Sequence, residues 1–188
     1  CCMSESTKTP STQNPSHHFV AYTDGGCRPS RGAGGYGFHG YLHTNEIPKQ
    51  GAGSPVTPTN RGYLNKKEPS KAVEVIHFVD RWASIEGETT NNVAELKAAI
   101  EALDYGDCVN ALSVLLWIDS QYVKDGLEQW IDGWIANDWK TKAGKEVSNK
   151  ALWIELLNAR QRLEQKSIPV VLEKIKGHDG DLGNTLAD

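Results

Sequence analysis

The sequence contains little cysteine, no long apolar run and no excess of positive charge. Only four of its 188 residues are cysteine, and no two of them have the CxxC spacing of a zinc site. A disulfide-bonded scaffold and structural zinc are therefore not expected, whereas a reducing, cytoplasmic location is. The longest strictly apolar segment, residues 114–118, is too short to cross a bilayer, so we expect no membrane partner.

The charge balance is mildly acidic, with 20 Lys and Arg against 24 Asp and Glu and a formal net charge of −4. This balance is unfavourable for a protein that holds nucleic acid by bulk charge alone, because such binding needs many basic side chains facing the phosphates. The same charge balance is compatible with a local basic surface.

The length of the chain fits one domain. Residues 1–16 are rich in Ser, Thr and Pro and predict a flexible N-terminal tail, so the folded domain is expected over residues 17–188. Residues 45–72 contain four prolines together with glycine, lysine and asparagine, and they predict an enlarged polar loop. An extra hairpin, a partner-binding loop and a disordered segment are alternatives for these residues. We expect the domain to be a monomer.

Segments rich in β-branched and aromatic residues predict five strands: 19–23, 36–44, 73–85, 112–118 and 170–175. The sequence Asp24-Gly25-Gly26 after the first strand predicts a turn. Apolar spacing predicts helices over residues 93–103, 121–134 and 151–163. This order predicts an α/β fold with a five-stranded mixed sheet, in which three antiparallel strands are joined by parallel strands and flanked by helices.

Three acids are expected to meet at one edge of that sheet. Asp24 and Asp119 follow the first and fourth strands, and Glu95 lies in the first turn of the first helix. If the two strands are parallel neighbours, their carboxyl ends form one edge, where functional sites of α/β sheets collect. Converging carboxylates repel each other unless a hard cation lies between them, so this pattern favours Mg²⁺ or Mn²⁺.

Each acid also has a purely structural interpretation. Asp24 before two glycines is typical of a turn. Asn92 and Glu95 lie close enough in sequence for a capping box, and Asp119 with Ser120 could cap the next helix. Such signals are common singly, and the neighbouring residues favour the functional interpretation because they match a known family.

The chain resembles the type 1 ribonucleases H of the bacterial HI group from about Phe19 to Asp188. The matching segments are YTDGGC at 22–27, GGYG at 34–37, ETTNNVAEL at 88–96, IDSQYV at 118–123, WKT at 139–141 and KGH at 176–178. Several segments in the same order are far more specific than any one of them. The ribonuclease H-like fold that this resemblance implies agrees with the predicted mixed sheet.

The resemblance implies an endonuclease that hydrolyses the RNA strand of an RNA–DNA hybrid and leaves 5′-phosphate and 3′-hydroxyl ends. The family's catalytic acids map onto Asp24, Glu95, Asp119 and Asp188, which would bind two Mg²⁺ ions, with Mn²⁺ as a substitute. Two such ions about 4 Å apart would activate water and stabilise the leaving oxygen. His178 maps onto the family's loop histidine and would transfer a proton or assist product release, with a solvated surface histidine as the alternative.

The resemblance also implies substrate contacts. Backbone groups near Cys27 and the side chains of Asn91 and Gln121 would contact the 2′-hydroxyl group that distinguishes RNA from DNA. Thr90 and Ser30 would belong to a pocket for a DNA phosphate, and Ser30 occupies a position that is often asparagine in the family. Helix capping is the alternative role for Asn91.

Residues 130–150 resemble the basic handle of this family. They contain tryptophans separated by four and five positions, followed by four lysines and a single glutamate. We expect Trp130, Lys140 and Lys142 to contact the hybrid, because aromatic rings stack on nucleotides and lysines bind phosphates. The other two tryptophans are expected to pack inside the handle.

Three functions therefore stay open at this point. The first is an active ribonuclease H, the second is a hybrid-binding module without useful catalysis, and the third is another metal-dependent nuclease of the same fold that acts on DNA. The substrate that is cut, if any, distinguishes them.

Overall fold

The computed structural model describes residues 17–28, 33–44 and 75–175. Its strands are β1 (His18–Arg28), β2 (Ala33–His43), β3 (Val75–Ile85), β4 (Val114–Ile118) and β5 (Val170–Lys174). Its helices are α1 (Asn91–Cys108), α2 (Gln121–Asp125), α3 (Ile131–Ala136) and α4 (Lys150–Gln165), with a π-helical turn at Gly126–Trp130 between α2 and α3. The predicted tail, the predicted 45–72 loop and the residues Ser30, His178 and Asp188 lie outside the described residues.

The five strands form one mixed sheet in the order β3-β2-β1-β4-β5. The β1/β2 and β2/β3 pairs are antiparallel, and the β1/β4 and β4/β5 pairs are parallel. The predicted antiparallel meander and the predicted parallel pairing of the first and fourth strands are both confirmed. All five residues of β4 are buried, as expected for a central parallel strand.

The predicted turn at Asp24-Gly25-Gly26 is wrong, because β1 continues through these residues to Arg28. Asp24 is paired with Gly37 of β2, and the antiparallel ladder extends as far as the pair of Arg28 and Ala33. A glycine-rich sequence has a low intrinsic preference for strand, and here cross-strand pairing with an equally glycine-rich β2 outweighs it. The first half of β1 has two neighbouring strands, and the second half has only β2.

The larger apolar core lies between the sheet and the helices, and its fully buried members include Phe19, Leu96, Leu116, Trp153 and Leu156. Burial of such side chains contributes roughly 1.5–3 kcal/mol each. This cluster accounts for the apolar spacing that predicts the first and last helices.

A smaller apolar cluster lies on the opposite face of the sheet. It contains Val20 and Tyr22 of β1 together with Leu115 and Trp117 of β4. Because successive side chains of a strand point to opposite faces, Asp24 continues the row of Val20 and Tyr22. Asp24 therefore lies on the sheet face that does not carry α1.

Residues 121–134 are helical, as predicted, and the segment includes the π-helical turn between α2 and α3. The first residue of this turn, Gly126, packs directly on Trp153 of α4. A Cβ atom at Gly126 would lie 1.9 Å from Cη2 of the Trp153 ring. Within the described ranges, none of the helices is long and apolar enough to cross a membrane.

Candidate active site

Asp24 and Asp119 occupy equivalent positions at one edge of the sheet. The parallel ladder of β1 and β4 ends at the pair of Thr23 and Ile118. Asp24 follows the first of these residues in the sequence, and Asp119 follows the second. The Thr23 hydroxyl donates a hydrogen bond of 3.5 Å to the carbonyl oxygen of Trp117. The backbone thus brings these two acids to one edge, as the sequence predicts.

Glu95 reaches the same edge because α1 packs directly against β1 at Gly25. A Cβ atom at Gly25 would lie 2.3 Å from the carbonyl carbon of Ala94 and 2.5 Å from the backbone nitrogen of Glu95. Real Cβ atoms do not approach backbone this closely, so only glycine fits at this point. The first turn of α1, which contains Glu95, therefore lies in space against Gly25, the residue that follows Asp24.

The donor set at this edge consists of carboxylates, and carboxylate oxygen is the ligand type that Mg²⁺ prefers. One oxygen of Glu95, Oε2, is buried, and a buried carboxylate needs a cation or hydrogen-bond donors beside it. Among residues 17–28, 33–44 and 75–175, however, no three His, Cys, Asp or Glu side chains lie close enough together to hold a metal ion. The described acids share an edge without forming a complete ligand group, and Asp188 lies outside the described residues.

The helix caps at this edge agree with one of the capping interpretations given by the sequence, that of Ser120, and not with the others. Thr90 is the N-cap of α1, and its Oγ1 atom accepts a hydrogen bond of 3.2 Å from the backbone N–H of Val93. The capping box of Asn92 and Glu95 is therefore wrong. Ser120 caps α2 through its Oγ atom, whereas Asp119 lies outside the helix.

Asn91 is held against the unpaired side of β1. Its Oδ1 atom accepts a hydrogen bond of 2.9 Å from the backbone N–H of Cys27. Asn91 is the first residue of α1 and not its cap, so the capping alternative for Asn91 is wrong. This bond joins two segments that the sequence predicts to contact the 2′-hydroxyl group.

Gln121, the first residue of α2, is exposed beside Asp119. Its Nε2 atom donates a hydrogen bond of 2.6 Å to Oδ1 of Asp125, which also accepts one from Gln129. The first of these bonds holds the amide nitrogen of Gln121 along the surface of α2.

The handle contains a continuous group of aromatic rings, from Trp139 through Trp134 to Trp130. Ring centroids are 6.3 Å apart for the first pair and 5.8 Å for the second. Trp134 and Trp139 are half-buried against the main core, whereas Trp130 is exposed. This burial agrees with the expectation that two of the three tryptophans pack inside the handle.

Sequence reasoning missed the two residues that support this aromatic group, Tyr122 and Trp153. Trp153 is fully buried, and its Nε1 atom donates a hydrogen bond of 3.1 Å to the Tyr122 hydroxyl. The Tyr122 ring in turn meets the edge of Trp130, with the centroids 6.0 Å apart. A buried tryptophan inside a helix carries no sequence signal of its partner, and nothing in the spacing could have found this contact.

The lysines of the handle lie on its exposed side. The backbone of Lys140 forms an isolated antiparallel β-bridge with that of Glu146. The Nζ atom of Lys140 is 3.6 Å from Oδ2 of Asp138. Such an exposed pair contributes little to stability and can be exchanged for a phosphate contact. Lys142 is also exposed, in the turn that follows Lys140.

A groove of about 700 Å³ lies on the sheet beside Asp24. Its lining includes Asp24, Gly26, Gly35, Gly37, Asp80 and Trp82. The Asp80 carboxylate is paired with Nδ1 of the buried His39. No motif in the sequence singles out Trp82.

Tyr36 also lines the groove. Burial raises the pKa of its phenol, and the nearby carboxylates of Glu101 and Glu155 raise it further, so the phenol stays neutral near pH 7.

A five-stranded mixed sheet of this order, with acids where the parallel ladder of β1 and β4 ends and a helical handle after β4, defines an α/β domain of the ribonuclease H-like fold. The model of the RNase H family matches residues 16–188. The chain belongs to the RNase H family, and it is an enzyme of the ribonuclease H class.

Curated relatives named Ribonuclease H share about one third of their residues with this chain. The protein of Chromohalobacter salexigens is 35% identical over 167 residues, which cover 89% of this chain and 77% of that protein. The protein of Francisella philomiragia is 33% identical over 172 residues, which cover 92% and 87% respectively.

Solved structures agree with the fold. LC9-RNase H1, described as a type 1 RNase H with the type 2 active-site motif, is 26% identical, with a TM-score of 0.59 over 94% of this chain and 71% of that chain. A foamy viral protease-reverse transcriptase in complex with dsDNA is 18% identical, with a TM-score of 0.60 over 92% of this chain and 90% of that chain. The second likeness concerns the fold alone.

Proposed function

We propose that this chain is an endonuclease that hydrolyses the RNA strand of RNA–DNA hybrids. The observation that carries the proposal is the shared edge of Asp24, Glu95 and Asp119, which is fixed by the β1/β4 register and by the close approach of α1 to Gly25. Membership of the RNase H family supports the substrate class.

Asp24, Glu95 and Asp119, with Asp188, would hold two Mg²⁺ ions, and Mn²⁺ would substitute for them. Bound there, the ions would lower the pKa of a water molecule and stabilise the charge of the leaving oxygen. Hydrolysis would leave 5′-phosphate and 3′-hydroxyl ends. By the family resemblance, His178 would transfer a proton or assist product release.

The described side chains offer specific hydrogen-bonding groups to a hybrid. Asn91 uses its oxygen on the Cys27 backbone, so its Nδ2 group can donate to a 2′-hydroxyl. Gln121 uses its nitrogen on Asp125, so its Oε1 atom can accept from one. A 2′-hydroxyl is both a donor and an acceptor, and this pair of groups matches both properties.

The phosphates of the DNA strand would be held by a different set of groups. Thr90 accepts from the backbone of α1 through its oxygen, and its hydroxyl proton can be donated to a phosphate. Ser30 would add a second hydroxyl, and Trp130, Lys140 and Lys142 would contact the strand at the handle.

We propose one catalytic domain over residues 17–188, acting as a monomer in the cytoplasm. Residues 1–16 would be its tail, 45–72 its enlarged loop and 130–150 its handle. Cys27 and Cys108 are both thiols rather than a disulfide, which fits a reducing compartment.

The test is a panel of RNA–DNA, RNA–RNA and DNA–DNA duplexes of one sequence, incubated with Mg²⁺, Mn²⁺ or EDTA. We expect cleavage of the RNA strand of the hybrid alone, with either metal ion and not with EDTA. End-labelled products should be substrates for 5′-phosphate-dependent ligation.

Two outcomes would contradict the proposal. Hybrid binding without cutting would identify a binding module, and cutting of DNA–DNA at the rate of the hybrid would identify a different nuclease.

A further inference from the structure

Trp82 of β3 is unusually exposed for a large aromatic residue. Its relative exposure is 85%, whereas Phe78, on the same strand, is 43% exposed. Exposed apolar surface of this size is unfavourable in water and commonly marks a binding site for a ligand or another macromolecule. Trp82 lies three strands away from β4, which leads into the handle, and it is not among the substrate contacts that the resemblance implies.

Trp82 lies on the same face of the sheet as Asp24. Asp24 is paired with Gly37, and Gly37 is paired with Trp82. Two strand spacings put the Cα atoms of Asp24 and Trp82 about 10 Å apart. Phe78 stacks on His39 on this face, and the alternation of side chains along β3 places Trp82 on the same side.

Glycines keep the space between Asp24 and Trp82 open. Gly26, Gly35 and Gly37 form the floor of the groove. A Cβ atom at Gly37 would lie 2.3 Å from the carbonyl oxygen of Arg81, so the floor cannot accept a side chain there without moving β3. The result is a groove with a carboxylate on one side and an indole ring on the other.

The chemistry of this groove favours a sugar over a phosphate. Asp80 lines the groove two residues before Trp82 on the same strand, and its negative charge would repel a phosphate that lay against the Trp82 ring. An indole ring binds the neutral, apolar faces of nucleotides, and it does so without sequence preference.

We propose that Trp82 is a further substrate-binding residue, which packs its indole ring against a sugar of the RNA strand next to the nucleotide at Asp24. This inference rests on the proposed function, because it assumes that the RNA strand lies over Asp24. It extends the footprint of the substrate from the β1/β4 edge across β2 to β3, away from the handle.

The experiment measures the dissociation constant of an RNA–DNA hybrid in the presence of Mg²⁺, with Asp24→Asn in every protein so that the RNA is not cut. Trp82→Ala should weaken binding at least about fivefold, which corresponds to about 1 kcal/mol. Trp82→Phe, which keeps a smaller ring, should weaken it less. Ile76→Ala is the matched control, since Ile76 is 53% exposed on the same strand about 20 Å away and should not change binding.

The dependence on salt separates this contact from a charge effect. Loss of an aromatic contact should weaken binding by the same factor at low and high salt, whereas loss of a lysine–phosphate contact reduces the slope of log K against log salt. Thermal unfolding of each variant should be unchanged, because the Trp82 side chain is mostly in solvent.

Several outcomes would overturn the inference. These are a Trp82→Ala dissociation constant within twofold of its parent, an equal loss for Ile76→Ala, or a change from dimer to monomer without loss of hybrid affinity. The last result would make the β3 edge a contact between two copies of the chain. Failure of the proposed function would look different, because the protein with Asp24 intact would then bind the hybrid without cutting it, whatever the residue at position 82.

Discussion

At the scale of single residues, Gly25 sets the distance between the strand that carries Asp24 and the helix that carries Glu95. We expect Gly25→Ala to destabilise the fold by about 1–3 kcal/mol and to reduce cleavage strongly, because the added methyl group must push α1 away from β1. Thermal denaturation and the rate of hybrid cleavage, measured below the unfolding range, check the two effects.

Gly26→Ala is the control for the stability effect. Gly26 is the next residue of the same strand, and an added Cβ atom there has open space around it. The free energy of unfolding of the Gly26→Ala protein should therefore differ from that of the unchanged protein by less than about 1 kcal/mol. Equal destabilisation by the two substitutions would mean that the close approach at Gly25 is not the cause.

The role of Asp24 can be tested with an isosteric change. Asp24→Asn removes a negative charge and a metal ligand while it keeps the shape, so we expect cleavage to be abolished and hybrid binding to survive. Asp104→Asn removes an exposed acid of α1 that is paired with Arg162, and it should keep full activity. Mg²⁺-dependent cleavage by Asp24→Asn would refute a metal-binding role.

At the scale of elements, the π-helical turn packs on α4 at Gly126. Gly126→Ala should lower the free energy of unfolding by about 1–3 kcal/mol, because the new methyl group would overlap the ring of Trp153. Gly133→Ala, on α3 with open space around it, should be neutral or slightly stabilising, since alanine favours helix more than glycine does. Chemical denaturation compares the two, and equal effects would argue against the overlap.

The handle should act as a grip on the hybrid and not as part of the catalytic centre. Changing Lys140 and Lys142 together to Ala should raise KM more than it lowers kcat, and it should reduce the salt dependence of KM, because two phosphate contacts are lost. Lys166→Ala removes a lysine that is paired with Asp107 on the far side of the domain, and it should change neither value. A loss confined to kcat would place the lysines in the chemistry instead.

The sequence predicts elements well where one residue pattern decides them. Apolar spacing is enough for α1 and α4, and a continuous apolar run is enough for β4. The predicted turn at Asp24 fails because pairing with β2 decides the conformation there, and pairing is not a local property. The sequence does not predict the π-helical turn inside the helix over 121–134, because the contact between Gly126 and Trp153 joins two different elements.

The candidate site shows the same division. The meeting of Asp24 and Asp119 follows from strand order alone, so the sequence is sufficient to predict it. The hydrogen bond from Cys27 to Asn91 and the exposure of Trp82 depend on how β1, β3 and α1 lie in space, and no spacing in the sequence encodes them.

At the scale of the whole molecule, the four acids of the proposed metal site are equal in number to the net charge of −4. Without Asp24, Glu95, Asp119 and Asp188, 20 acids balance 20 bases. Two bound Mg²⁺ ions would supply the four missing positive charges, so an acidic chain is compatible with an enzyme that acts on a polyanion.

Mg²⁺ should therefore stabilise the folded protein. At ten times its dissociation constant, a ligand specific to the folded state adds about 1.4 kcal/mol, which raises Tm by roughly 3–6 °C for a chain of this size. We expect that rise in calorimetry of the unchanged protein and a clearly smaller one for Asp24→Asn, with NaCl at equal ionic strength as the control. The same rise in both proteins would place the bound ion elsewhere.

The two halves of β1 differ in how many neighbours hold them. Residues 19–23 are bonded to strands on both sides, whereas residues 24–28 pair with β2 alone. Amide hydrogens in the first half should exchange with solvent only when the whole domain unfolds, while those in the second half can exchange through smaller openings. Asp24 thus lies where the half of β1 with two neighbouring strands joins the half with one. The backbone from Asp24 onward can therefore adjust to a duplex while the rest of the domain stays folded.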